Sequence, residues 1–388
     1  MIAISRLLCN NIGPGDYLRY GGQKKDSSSG DVPRPIVVWN FTRRCNLRCT
    51  HCYADAKGRA SRGEMDTGEG KAFIRDLADF GVPVLLFSGG EPLLRKDLFE
   101  LASFAKEQGL KPVLSTNGTL ISRPVAKKLQ AIPFGEVGIS MDGIGEANDR
   151  FRGKVGAYQA ALRGIRNCLD LGLRVSLRFT ITRLNYKEIP AIFRLVEEEG
   201  IPRVCFYHLS YVGRADAIRA EDLSHSETRA AVDLICQHTV DLHKRGHEKE
   251  ALTVDNHADG VYIYLKLREE DEQRAEKALA LLQTNGGNNS GIRIGAVDDM
   301  GCVHPDQFWW HYSLGNVRQR KFSDIWSDES EPLLRGLRNR KLLLKGRCAK
   351  CQYLAICNGN LRVRAESVFG DVWAEDPACY LSDEEIGA

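Results

Sequence analysis

The chain has 388 residues, a formal net charge of +3, 43% hydrophobic and 27% charged residues, a composition that fits one large globular domain with a smaller appendage. No apolar run approaches the roughly 20 residues that cross a bilayer, and no block is basic enough to announce nucleic acid, so no membrane and no nucleic-acid partner are expected. Seven of the twelve cysteines fall in two tight clusters, and the start, "MIAISRLLCNN", has no secretory cleavage pattern; metal ligation in the cytoplasm therefore fits better than disulfides.

Residues 1–34 read as a mobile leader, because their second half ("GGQKKDSSSGDVPRP") has too little apolar surface to bury. Six short apolar or β-branched runs follow: "PIVVWNF", "VPVLLFSGG", "KPVLSTNG", "EVGISMDG", "LRVSLRFTIT" and "PRVCFYHLS". Between them lie stretches of helical period, four of which end in the glycine expected just past a helix C-terminus. Six β/α units imply parallel strands with right-handed crossovers. Eight units close a full barrel, so residues 35–215 are expected to form a partial (β/α)6 TIM-like barrel with its functional edge at the strand C-termini. Residues 216–289 read as a helical linker region with helices near 224–246 and 262–283, and 290–388 as a small irregular C-terminal domain.

The segment "TRRCNLRCTHCYADA" places Cys45, Cys49 and Cys52 on the loop leaving the first strand. Three thiolates can hold three irons of a four-iron, four-sulfur (4Fe-4S) cluster and leave the fourth iron open. A closed zinc site would need a fourth ligand; His51 is available, but neighbours in sequence seldom both point at one metal. In the tail, Cys348, Cys351, Cys357 and Cys379 supply four thiols, enough for a complete iron-sulfur site or a tetrahedral zinc site, and spacing alone does not choose.

The C-x3-C-x2-C triad with Tyr53 behind it resembles the radical S-adenosylmethionine (SAM) superfamily. Further motifs of that family follow at successive strand ends. "SGGEP" carries Gly89, Gly90 and Glu91; "STNG" carries Ser115 and Asn117; "ISMDG" carries Ser140; "DRFRG" carries Arg152. The resemblance implies that these residues surround SAM, the glycines letting backbone approach the methionine amino group and Arg152 holding the carboxylate. It also implies a SAM-bound 4Fe-4S cluster on the triad, a 5'-deoxyadenosyl radical, and a reductant such as a flavodoxin or ferredoxin. The tail resembles the SPASM or twitch extension of the family, which implies a second, auxiliary 4Fe-4S cluster on its four cysteines. Leu361 stands where the full extension has another cysteine, so one auxiliary cluster is expected, with Cys302 as a spare.

Across nearly the whole chain, segments such as "VDNHADGVY", "HPDQFWWHYSLGNVR" and "WAEDPACYLSDEEIG" resemble the radical SAM enzymes of haem d1 biosynthesis and their relatives in sirohaem-dependent haem synthesis. That likeness implies an iron tetrapyrrole substrate, 12,18-didecarboxysirohaem, losing propionate side chains, in the service of denitrification. Related steps, acetate removal or coprohaem decarboxylation, are the alternatives, followed by a peptide-modifying maturase. A broad anionic plate with an axial metal needs apolar walls, cations and an imidazole; the candidates are Arg178, His208 and Arg214, with His304, Trp309, Trp310 and His311 from the tail.

Overall fold

The computed structural model describes residues 1–21 and 32–388. Its frame is one mixed sheet of eleven strands: β1 (Ile2–Ala3), β2 (Ile36–Asn40), β3 (Val84–Ser88), β4 (Lys111–Thr116), β5 (Val137–Ser140), β6 (Val175–Thr180), β7 (Arg203–Tyr207), β8 (Glu250–Val254), β9 (Ile294–Val297), β10 (Cys302–His304) and β11 (Gly315–Asn316). The order is β1-β8-β7-β6-β5-β4-β3-β2-β9-β10-β11, parallel from β8 through β9 and antiparallel at β1, β10 and β11. The two ends of this order do not pair with each other, so the barrel is open.

The six strands expected from the apolar runs are β2 to β7. Their crossovers carry α3 (Thr67–Phe80), α4 (Leu98–Glu107), α5 (Arg123–Ala131), α6 (Glu146–Arg152), α7 (Ala157–Leu169) and α8 (Ile189–Glu198), after α1 (Ile4–Cys9) and α2 (Asp16–Tyr20) near the start. Local chemistry sets these helices. Asp66 and Glu69 form a reciprocal capping box at the start of α3, Gly81 ends it in the left-handed region (φ 83°), and Phe73, Ile74 and Leu77 are its buried face.

Three expectations change. Residues 1–20 are no mobile leader: Ile2 and Ile4 are fully buried, and β1 pairs with β8, closing an edge that would otherwise present unpaired backbone. Within the expected leader, residues 22–31 lie outside the described residues. The borders at 215 and 290 do not separate sheets, since β8 arises within the expected linker and β9 within the expected tail, and both extend the barrel in parallel. The helix expected near 262–283 is two, α10 (Ala258–Glu270) and α11 (Glu272–Asn285), after the long α9 (His225–Lys244); Asp271 takes an extended conformation and its carboxylate caps the second.

The C-terminal part is small and irregular, as expected. Short helices pack Phe308, Trp309, Leu333, Leu337, Leu361 and Val363 into a core of their own. Arg364, fully buried, pairs with Asp376 at 2.8 Å and donates to the carbonyls of Leu209 and Asp255, tying this tail to the ends of β7 and β8.

Candidate functional site

The three thiols sit on a loop whose shape is set by backbone contacts. Cys45 N–H donates to the Lys57 carbonyl (2.7 Å), Thr50 N–H to Phe151 O (2.9 Å), and Arg48 N–H to Arg152 O (3.2 Å). The turn after β3 lies against this loop: Gly90 N–H donates to Thr42 O (2.6 Å) and Glu91 N–H to Arg44 O (2.8 Å). A Cβ at Gly89 would stand 2.3 Å from Thr42 O, and one at Gly90 2.2 Å from Arg44 O. The glycine pair is therefore required by the cysteine loop itself, whatever else approaches it.

Each sulfur faces a donor: Leu47 N–H to Cys45 Sγ (3.4 Å), Arg152 Nη1 to Cys49 Sγ (3.7 Å), Ala56 N–H to Cys52 Sγ (3.4 Å), with Asn117 Nδ2 at 3.9 Å from Cys45. Burial pushes the Cys45 thiol up to about 12 and raises Cys49 as well. Donors aimed at sulfur suit thiolates, while the burial forbids thiolates without a cation, so the donor set fits an iron-sulfur cluster. His51 turns elsewhere, to Asp142 at 3.2 Å, and burial holds its pKa down to about 4.

All but one of the strand-end candidates stand together. Gly89, Gly90, Ser115, Asn117, Ser140, Arg152 and Tyr53 line one cavity of about 500 Å³ together with the three cysteines. Tyr53 is anchored through its hydroxyl to Asn40 Oδ1 (3.0 Å) and Ser88 Oγ (3.1 Å). Arg152 pairs with Asp142 at 2.6 Å, so a carboxylate ligand would share it. Glu91 is not on the cavity wall: fully buried, it accepts from Thr116 Oγ1 (2.7 Å), Asn117 N–H (2.8 Å) and Leu93 N–H (3.1 Å), joining the end of β3 to that of β4. Burial raises its pKa, against the pull of those three donors.

The same cavity runs the length of the barrel interior. At the opposite end from the thiols its wall is made by Ile36, Val84, Lys111, Glu136, Arg174, Arg203 and Arg293, and between the two ends lie Val38, Leu86, Val113 and Arg178. Alternate strand positions face one side, so residues two apart line the lumen.

Of the substrate candidates, Arg178 reaches across to Ser115 Oγ (2.7 Å) and His208 lines the wall with Nε2 held by Asp259 Oδ2 at 2.9 Å. Asp259 is fully buried and also accepts from Tyr380 OH (2.9 Å). Burial opposes charge on His208, but Asp259 outweighs it and the pKa is raised. Arg214 lines the cavity too, yet its guanidinium holds the cysteine loop, donating to Cys49 O (2.8 Å), Ala56 O (2.9 Å) and Asp55 Oδ1 (2.9 Å). From the tail, Asp306, Gln307 and Phe308 reach the wall, whereas His304, Trp309, Trp310 and His311 do not. His304 binds Tyr312 O (2.7 Å), His311 pairs with Glu366 (2.8 Å), and Trp310 stacks under Arg43.

Lys111, Arg174, Arg203, Arg293, Tyr207 and Asp255 escaped the sequence reading. The signal was present in the period-two recurrence Arg174, Ser176, Arg178, Thr180, where polar residues occupy the positions of one strand face.

Cys348, Cys351, Cys357 and Cys379 ring a second, much smaller cavity of about 30 Å³, and Cys302 is not on its wall. Burial pushes Cys379 up to about 12 and Cys357 well above the ordinary thiol range, and the backbone N–H groups of Tyr353 and Leu381 turn to Cys351 and Cys379. As at the first site, buried sulfurs with donors fit metal-bound thiolates. Among the described residues, no three His, Cys, Asp or Glu side chains gather around the position of a single metal ion.

Comparison with known proteins follows the same lines. The family model for the Radical SAM superfamily matches residues 39–196. Fe-coproporphyrin III synthase of Methanosarcina barkeri (strain Fusaro) is 57% identical, over 100% of this chain and 99% of its own. Pre-heme d1 synthase of Dinoroseobacter shibae is 44% identical over 92% of this chain and 88% of its own. Among solved structures, Streptococcus suis SuiB bound to precursor peptide SuiA superposes with a TM-score of 0.72 at 18% identity, covering 95% of this chain and 79% of that one, a likeness of fold. No helix among the described residues is long and apolar enough to cross a membrane. With its open parallel barrel, its three-cysteine loop against a glycine turn, and a relative more than half identical along its full length, the chain belongs to the radical SAM superfamily.

Proposed function

We propose that this enzyme removes side chains from an iron tetrapyrrole derived from sirohaem, and that the reaction is loss of acetate groups giving Fe-coproporphyrin III. Full-length identity of 57% to a protein of that name supports this step over the propionate loss of haem d1 synthesis, which retains the support of the 44% relative. In this reading Cys45, Cys49 and Cys52 hold the cluster whose open iron binds SAM; Ser115, Asn117, Ser140 and Arg152 surround the nucleoside and carboxylate. The family's cluster and SAM, when bound, supply a 5'-deoxyadenosyl radical that takes a hydrogen atom from the substrate. The four-thiol site holds the auxiliary cluster.

The observation that carries the substrate class is His208. Its Nε2 is fixed by a buried carboxylate, its Nδ1 has no hydrogen-bond partner among the described residues, and it stands on the wall shared with the three thiols. A carboxylate behind an imidazole sets the tautomer of a metal-binding histidine, here toward the substrate's iron. The apolar face of Val38, Leu86 and Val113 suits the flat macrocycle. Tyr53 stands on the pocket wall and Glu91 braces it from behind.

The test is anaerobic incubation of the reconstituted protein with SAM, a low-potential reductant and 12,18-didecarboxysirohaem, with mass spectrometry of the macrocycle. Loss of two acetate groups is expected; loss of two propionates would transfer the enzyme to the haem d1 step. Formation of 5'-deoxyadenosine while the macrocycle keeps its mass would sink the proposal.

A further inference from the structure

The lumen end farthest from the thiols carries more positive charge than its own carboxylates balance. Arg203 lies between Glu136 and Glu250 (2.7 Å to the latter), Arg174 pairs with Glu250, and Arg19 reaches Asp16 (2.9 Å) and Glu250 (3.3 Å). These three arginines therefore meet three acids. Lys111 and Arg293 come in addition at this end, with Arg178 farther along the lumen toward the thiols, all on the cavity wall. Lys111 and Arg293 have no ion pair among the described residues, and Arg178 has only Glu136 at 3.9 Å. Half-buried cations without a close carboxylate leave this part of the wall open to an anion.

The backbone makes room for two of them. A Cβ at Gly135 would stand 2.2 Å from Lys111 Cε, and one at Gly138 2.3 Å from Arg178 Cζ. Glycines before and within β5 thus open notches through which the cations of β4 and β6 reach the lumen. Beside Lys111 on one side and Arg293 on the other, Val84 and Ile36, with Leu86 and Val38 above them, are apolar. The apolar stretch of β2 and β3 suits a flat hydrocarbon ring, and the cations flanking it suit the ring's acid groups. Strands of six residues rise about 20 Å in all, enough to separate an iron held near His208 from carboxylates held at the far mouth.

We propose that Lys111, Arg178 and Arg293 form a carboxylate subsite that receives the acidic side chains the reaction leaves in place, so that the macrocycle enters the barrel with those groups leading. The subsite rests on the tetrapyrrole reading above and adds the orientation of the ring.

Optical titration of the reconstituted full chain with iron coproporphyrin III and with its tetramethyl ester tests it. The tetra-acid is expected to bind at least about tenfold tighter than the ester, with the gap narrowing as salt rises. The double variant Lys111→Met/Arg293→Met should lose most of that preference and keep the spectrum of the bound probe; Lys111→Arg/Arg293→Lys should keep the preference. A double Met variant that still discriminates like the parent, or a parent that binds ester and acid alike, overturns the subsite and leaves the tetrapyrrole reading standing. A parent that binds neither probe overturns both.

Discussion

Gly90 shows how a single missing side chain positions chemistry. Its Cβ would meet the Arg44 carbonyl at 2.2 Å, and backbone cannot yield as a flexible side chain can. Gly90→Ala is expected to displace the cysteine loop and lower the iron retained at that site by more than about half, read by iron and sulfide analysis after anaerobic reconstitution. Gly58→Ala, at a position with nothing within 4 Å, is the matched control and should load as the parent does. Asp255, at the end of β8, sits in the left-handed region (φ 67°), which Asp and Asn tolerate better than other side chains. Burial pushes its carboxyl from 3.8 up to about 7. An acid whose folded pKa is raised holds its proton longer in the native state, so stability declines as pH climbs from 3.8 to about 7. Asp255→Asn keeps the backbone and removes that titration. Urea unfolding of both proteins between pH 4 and 8 should show the variant gaining on the parent through this window and by a constant margin above it.

Among the elements, β1 carries the largest departure from expectation. Two residues long, it gives no periodic signal of its own, yet Ile2 is fully buried and seals the outer edge of β8. Ile2→Ala should cost about 2–5 kcal/mol, measured by chemical denaturation; a mobile leader would have made the change neutral. The strands β2 to β7 were legible because each is a local apolar run flanked by turn residues and a stretch of helical period. β8 and β9 were not, because "EALTV" and "IGAV" look like many short apolar runs and acquire their identity only by pairing with β7 and β2. Asp271 was likewise unreadable as a break until its carboxylate was seen capping α11.

For the whole molecule, the two thiol sets stand in different settings. The three-thiol set opens on a cavity of about 500 Å³, and the four-thiol set encloses about 30 Å³. An open set leaves room for a ligand on the cluster; a closed one does not. Reconstituted protein is expected to bind about eight irons, and Cys348→Ala/Cys351→Ala about four, by iron analysis with Mössbauer spectra of both. Zinc in the second set, or an unchanged count in the variant, would remove the auxiliary cluster.

The sequence by itself determined the chemistry-bearing loop and the parallel α/β barrel, because each depends on spacing within a short segment; the strand-end residues came from a family resemblance, and of them Glu91 lies off the cavity wall. It also named His208 and Arg178, since a lone imidazole and a strand arginine can be seen as letters. Only the tertiary structure decided what those letters do. His208 needed Asp259, 51 positions away, to fix its ring; Arg214 proved to be a strut of the cysteine loop; the tail's tryptophans turned away from the lumen, which Phe308 entered instead. The cation-rich far end of the lumen draws on β4, β7, the residues just before β6 and β9, and α2, and charge balance over such distances exists only once the strands are side by side.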